Sequence, residues 1–332
     1  MKLSRILTVL AAASVASFGH WSVAQAEQLK VVSSFSIIGD LVKNVGGEHV
    51  VVSNLAGHDV DLHHFEPKPS DVKKLTPAEG AKLLFINGLE LEPWAERLKQ
   101  SSGFKGETVV VSEGIKPLKF DDIHHDHDHD HDHDHDHDHA HDHDHDHDHD
   151  HHEHDGHNHG EWDPHAWQNP QNAVIYVDNI LNALKKADPA NATSYEANAE
   201  QYLAQIKQLD AEIKKAFAAL TKEQRRFGTN HEAFAYFAEA YDLTQIPVTG
   251  VSGGEPSAAQ VAAVSKRLKQ EGVRAVFFEN TTNNRLIEQV AHDAGVKVGG
   301  TLVADALEKE GEGASYLGMI KKNADTLLDA LK

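Results

Sequence analysis

From Leu29 onward, short runs rich in β-branched residues alternate with amphipathic stretches, and this alternation is the strongest constraint on the fold. Strands that alternate with helices are joined by crossovers, which build parallel sheets covered by helices. The first block reads as strand 29–35, helix 37–45 ended by Gly46-Gly47, strand 49–55, helix 69–75, strand 82–86, helix 93–100 and strand 108–111. A second block repeats the pattern, with strands 226–229, 245–251, 273–279 and 296–303 and helices 232–241, 257–271 and 284–294, before a closing helix 315–331. Between the blocks, Tyr195, Tyr202, Ile206, Leu209, Ile213, Phe217 and Leu220 recur at helical spacing. They predict one amphipathic helix of roughly 25 residues, about 37 Å long at 1.5 Å per residue, enough to cross a whole lobe. The expected fold class is α/β, with two lobes that are each a parallel sheet flanked by helices. The first lobe is expected at 27–190, the long connecting helix at 191–220 and the second lobe at 221–332.

Residues 1–26 are set apart. Lys2 and Arg5 precede an apolar stretch from Ile6 to Phe18, and Ala24-Gln25-Ala26 carries small residues where a signal peptidase reads. The apolar run is too short for a membrane span, which needs about 20 residues, so a cleaved secretory signal is expected. The chain has no cysteine, which excludes disulfides, thiolate metal sites and a lipid anchor on cysteine. A freely soluble periplasmic protein is therefore expected.

The segment from His124 to His159 holds nineteen of the 27 histidines, thirteen Asp and Glu153, with no Lys or Arg. It carries fourteen of the twenty-one net negative charges, so the acidity belongs to one segment rather than to the folded surface. With only Ile123 and Ala140 apolar, this tract at 121–160 has almost nothing to offset the entropy of ordering and is expected to be a mobile loop. Neutral imidazoles are common metal ligands and the aspartates hold cations nearby, so the tract is expected to capture metal. At four ligands per ion, it could hold on the order of four or five zinc ions, each weakly. No basic cluster of the kind that holds a phosphate backbone is present, which argues against nucleic acid as a partner.

Of the eight remaining histidines, His20 leaves with the signal, and His49, His58 and His292 have no motif around them. His63 and His64 lie in Asp61-Leu62-His63-His64-Phe65-Glu66-Pro67, His165 in Asp163-Pro164-His165-Ala166-Trp167, and His231 after Gly228-Thr229-Asn230, where it is expected to open a helix. Each sits in a strand-to-helix connection, and such loops at the carboxyl ends of strands line the ligand crevice of open α/β sheets.

These blocks, with Asn230-His231-Glu232-Ala233-Phe234 and a late Val303-Ala304-Asp305, resemble the metal-binding segments of the ZnuA-type solute-binding proteins of bacterial ABC importers for zinc and manganese. The similarity runs in order over nearly the whole mature chain, and Gly254-Glu255-Pro256-Ser257 and Phe277-Phe278-Glu279-Asn280 also resemble family segments. The resemblance implies a metal site in the cleft between lobes, with His63 as the first ligand and His64 as its alternative, His165 as the second and His231 as the third. Asp305 matches the position where many members place a carboxylate, although an Asp after a strand is also a common helix N-cap. Some zinc-binding members carry Glu before the first histidine; here Leu62 leaves the fourth position to Asp305 or water. Manganese-preferring members usually have Glu at the third position, and three imidazoles suit Zn2+ better by softness and geometry. Glu279 and Glu66 are expected to support loops or to hold ligands from behind rather than bind metal.

The implied function is periplasmic capture of Zn2+ and its delivery to the membrane permease of an ABC importer, driven by a cytoplasmic ATPase, by a monomer assisted by the histidine tract. A zinc store acting mainly through the tract, and a manganese-binding relative, are the alternatives. A zinc hydrolase would need a general base beside the metal water, and no His-Glu-x-x-His helix is present. No enzyme activity is expected. The long helix is expected to limit hinge closure, leaving metal release to local loop movement.

Overall fold

The computed structural model describes residues 27–119, 161–250 and 256–332. The expected signal peptide, the tract at 121–160 and Gly254-Glu255 lie outside the described residues. The first lobe begins with β1 (Leu29–Phe35), α1 (Ser36–Gly46) and β2 (Val50–Ala56), then α2 (Pro69–Lys74), β3 (Leu83–Ile86), α3 (Ala95–Ser102) and β4 (Glu107–Val110). Its sheet runs β2-β1-β3-β4, with every pair parallel. β1 is an inner strand, and every residue but Lys30 is buried, the small Ser33 and Ser34 included. In α1, Ile37, Ile38, Leu41, Val42 and Val45 form the buried stripe, and the helix ends where Gly47 takes φ 56°, a conformation that favours glycine. Gly39 lets α1 lie close to the sheet, because a Cβ there would sit 2.0 Å from Asn54 Oδ1.

Two helices follow, α4 (Pro170–Ala187) and α5 (Ala192–Phe217). No element is expected over α4, although Asn169 caps it by accepting from the Gln171 N–H and Pro170 occupies its first turn. The expected long helix is α5, whose 26 residues bury Tyr195, Ala199, Tyr202, Ile206, Ile213 and Phe217. Near its start Asn198 donates to the Val45 carbonyl at 3.1 Å, and towards its end Phe217 stacks on Tyr241 at 5.6 Å. It therefore touches both lobes.

The second lobe repeats the first with β5 (Arg226–Thr229), α6 (Ala235–Tyr241), β6 (Thr244–Pro247), α7 (Ala258–Gln270), β7 (Ala275–Glu279), α8 (Arg285–Ala294) and β8 (Lys297–Leu302). Its parallel sheet runs β6-β5-β7-β8, the same order as in the first. The closing helix is α9 (Tyr316–Leu331). The expected strand at 245–251 is shorter than its apolar pattern, since β6 ends at Pro247, and α6 begins at Ala235 rather than at His231. Among the described residues, no helix is long and apolar enough to cross a membrane.

One buried cluster joins the lobes, running from Phe35, Ile38 and Leu41 through Trp167, Tyr195 and Tyr316 to Phe227, Phe237 and Leu327. Specific hydrogen bonds lie along this seam. Trp167 Nε1 donates to Ala304 O at 3.0 Å, Tyr316 OH to Trp167 O at 2.9 Å, and the Leu307 N–H to Ser36 Oγ at 3.0 Å.

Candidate metal centre

The carboxyl ends of both sheets face the seam, and the connections leaving them carry the histidines. His63 lies in the loop after β2, His165 in the connection between β4 and α4, His231 two residues beyond β5 and Asp305 three beyond β8. The structure brings these four together, with one donor atom from each lying within 4.8 Å of all the others. His63 Nε2 is 3.1 Å from His165 Nε2, Asp305 Oδ1 is 3.3 Å from His165 Nε2, and Asp305 Oδ2 is 3.5 Å from His231 Nε2. A zinc ion with Zn–N distances of 2.0–2.1 Å sets its ligand atoms roughly 3.3 Å apart in a tetrahedron, and three of the donor pairs here lie at 3.1–3.5 Å while all fall within 4.8 Å.

Burial and polarity agree with that geometry. His165, His231 and Asp305 are essentially inaccessible, while His63 is partly exposed. His231 Nε2 and Asp305 Oδ1 are buried without a hydrogen-bond partner, which is costly for polar atoms unless a cation is meant to lie between them. The cluster borders a cavity of about 540 Å³, also lined by Asp61, His64, Asn230, Thr281 and Arg285.

Carboxylates behind the ligands fix the imidazoles. Asp163 Oδ1 lies 2.7 Å from His165 Nδ1 and also accepts the His165 N–H at 2.9 Å. Glu279, the last residue of β7, does the same for His231, with Oε2 at 2.5 Å from Nδ1 and Oε1 accepting the N–H at 3.0 Å. When these rings are neutral, a proton on Nδ1 faces the carboxylate and leaves the Nε2 lone pair turned to the centre.

The charges follow. Burial, with neighbouring imidazoles adding to it, pushes His63 down to about 3 against the pull of Asp305, so that ring is neutral at physiological pH. Burial also opposes charge on His165 and His231, but Asp163, Asp305 and Glu279 outweigh it and raise both, His231 strongly. Burial likewise opposes the Asp305 charge, and His231 and His165 override it to hold this carboxyl well below its usual range. A divalent cation held at this point would take the place of the imidazolium protons.

The other candidates lie apart from the cluster. His64 is exposed, with Nδ1 2.8 Å from Asp61 Oδ2, so the His63 and His64 alternatives separate by direction. His58 and His292 are exposed and Glu66 points to solvent. The motif containing Asp163 was legible, but nothing in it marked this residue as the partner of His165; an Asp two positions before a ligand is the signal available.

Residues 31–330 match the family model described as "ZnuA: Zinc-uptake complex component A periplasmic". The chain is 29% identical to the iron-binding protein YfeA of Yersinia pestis over 306 residues, covering 91% of this chain and 86% of that protein. It is 30% identical to the manganese-binding lipoprotein MntA of Halalkalibacterium halodurans, covering 92% of this chain and 89% of the relative. Among solved structures it resembles the periplasmic zinc-binding protein TroA of Treponema pallidum, with TM-score 0.75 and 25% identity over 92% of this chain and 99% of that one. The family comprises substrate-binding proteins of ABC transporters, not enzymes, and acts outside the cytoplasm with a permease as partner. The chain thus belongs to the ZnuA family of periplasmic metal-binding components of ABC importers.

Proposed function

We propose that this protein binds Zn2+ with His63, His165, His231 and Asp305 and delivers it to the permease of a zinc importer. The observation that carries this reading is the donor set: three imidazoles and one carboxylate whose donor atoms converge within 4.8 Å of one another. That set matches zinc by softness and geometry, whereas manganese favours more oxygen ligands. Relatives named for iron and manganese make the metal the quantity to measure.

In this reading the lobes divide at 27–190 and 221–332 around a connecting helix at 191–220, the mature protein begins after residue 26, and it acts as a free monomer without a lipid anchor. The tract at 121–160 raises the local zinc concentration and passes ions inward. Support comes from the residues that flank it: Lys119 bridges Trp162 in antiparallel fashion and the Asp163 N–H donates to Leu118 O at 2.9 Å, a meeting two to three residues before His165. Release then needs only local movement of the ligand loops, in keeping with the core and hydrogen bonds that join the lobes.

Competitive zinc and manganese titration of mature protein lacking residues 121–160, against a chelator of known affinity, tests this. One tight zinc equivalent, lost in His63→Ala, His165→Ala or His231→Ala, is expected. Weak binding throughout would point to a store acting through the tract, and a preference for manganese would overturn the metal assignment.

A further inference from the structure

We infer that Asn87 is the positioning residue of the His165 loop and thereby sets how sharply the centre discriminates zinc from manganese. The inference rests on the reading of His165 as a ligand. Asn87 follows Ile86 at the carboxyl end of β3, is fully buried, and touches no ligand side chain. Its Nδ2 donates to Pro164 O at 2.9 Å, the carbonyl immediately before His165, and its Oδ1 accepts from Tyr176 OH at 2.5 Å. Its own carbonyl accepts from Ser112 Oγ at 2.6 Å. The Asn87 and Gly88 N–H groups donate to the two carboxyl oxygens of buried Glu92 at 2.8 and 3.1 Å.

The His165 backbone belongs to no strand or α-helix, so no hydrogen-bond ladder holds it. Its direction depends on the groups that grip either end of the segment. From the second lobe, Tyr236 OH donates to Asp163 O at 2.9 Å and Ala304 O accepts from Trp167. From the first lobe, the bond to Pro164 comes from Asn87. Asp163 then fixes the ring, and Asn87 fixes the peptide from which the ring projects.

Only a short side chain that both donates and accepts meets Pro164 and Tyr176 at once. Aspartate would set an oxygen against the Pro164 carbonyl, and serine is too short to reach both. Imidazole suits zinc better than manganese, so a His165 held in place adds more to zinc binding and a looser one penalises zinc more.

The test is chelator-competed titration of zinc and of manganese on the full mature chain, with the chelator keeping weaker histidine sites of the tract empty. Asn87→Ser should lower zinc affinity on the order of tenfold and narrow the zinc-to-manganese affinity ratio by a similar factor, as expected for loss of one buried hydrogen bond. Asn87→Asp, which keeps an acceptor for Tyr176, is the second variant should the first fail to fold. Asn179→Ser is the control for a general loss of stability, since it removes bonds from α4 to Val111 O and Glu113 O without touching Pro164. An unchanged metal ratio in the Asn87 variants, or an equal shift in Asn179→Ser, overturns the inference. A tight zinc site that survives His165→Ala would instead overturn the ligand assignment beneath it.

Discussion

Glu279→Gln probes how much of the metal affinity comes from behind the ligands. Glu279 is fully buried and holds His231 twice, through Nδ1 at 2.5 Å and through the backbone N–H at 3.0 Å. Glutamine has the same shape but only one acceptor oxygen. If that oxygen faces the backbone N–H, the amide NH2 meets Nδ1–H, and the ring relieves the clash by moving its proton to Nε2, which removes the lone pair aimed at the centre. If the amide flips, its NH2 meets the backbone N–H and displaces the loop carrying His231. Losing a carboxylate behind a metal-bound histidine typically lowers affinity 10–100-fold, or about 1.4–2.7 kcal/mol. The assay is zinc competition with a chelator, paired with thermal unfolding of the metal-free protein to show that the fold survives. Zinc affinity within about threefold of wild type in a folded variant would refute the argument that Glu279 orients His231.

Further outcomes follow from the same structure. Zinc binding should release on the order of one to two protons at neutral pH, because the raised His165 and His231 must give up theirs while His63 is already neutral; affinity should therefore rise with pH, and calorimetry in buffers of different ionisation enthalpy counts the protons. Burial pushes Glu92 up to about 7, so between its unfolded value of 4.5 and that point the folded protein binds more protons than the unfolded chain. The contribution of Glu92 to stability should fall as pH rises across that window and level off above it, and Glu92→Gln should flatten that part of the slope seen in denaturant melts at several pH values. Gly39→Ala should cost about 1–3 kcal/mol by forcing Asn54 away from its 2.7 Å hydrogen bond with Ser33, whereas a melt within 0.5 kcal/mol of wild type would show that α1 can shift.

Much of the architecture was legible because it repeats local patterns. Alternating β-branched runs and amphipathic stripes marked the strands and helices of both lobes, and the spacing of Tyr195, Tyr202, Ile206, Ile213 and Phe217 marked α5 nearly to its ends. The helix α4 was passed over although Asn169-Pro170 signalled its start, since it lies between the tract and the more regular stripe of α5. The sequence reads His231 as opening a helix at 232–241, since Ala233 and Phe234 look like the start of its apolar stripe. They serve instead as buried anchors of a loop, and α6 starts only at Ala235.

At the centre the division has a simple physical cause. Imidazoles in strand-to-helix connections marked His63, His64, His165 and His231 as candidates, because ligand chemistry belongs to the residue type and loop position to the local pattern, and the family resemblance added Asp305. Which of His63 and His64 points inward, that Asp163 and Glu279 grip the imidazoles, and that Asn87 holds the Pro164 carbonyl depend on side chains that lie 48 to 102 residues apart in several of these contacts. Direction and distance across that separation arise only when the two sheets set their carboxyl ends face to face, so the sequence determined what could bind and the tertiary structure decided where the donors meet.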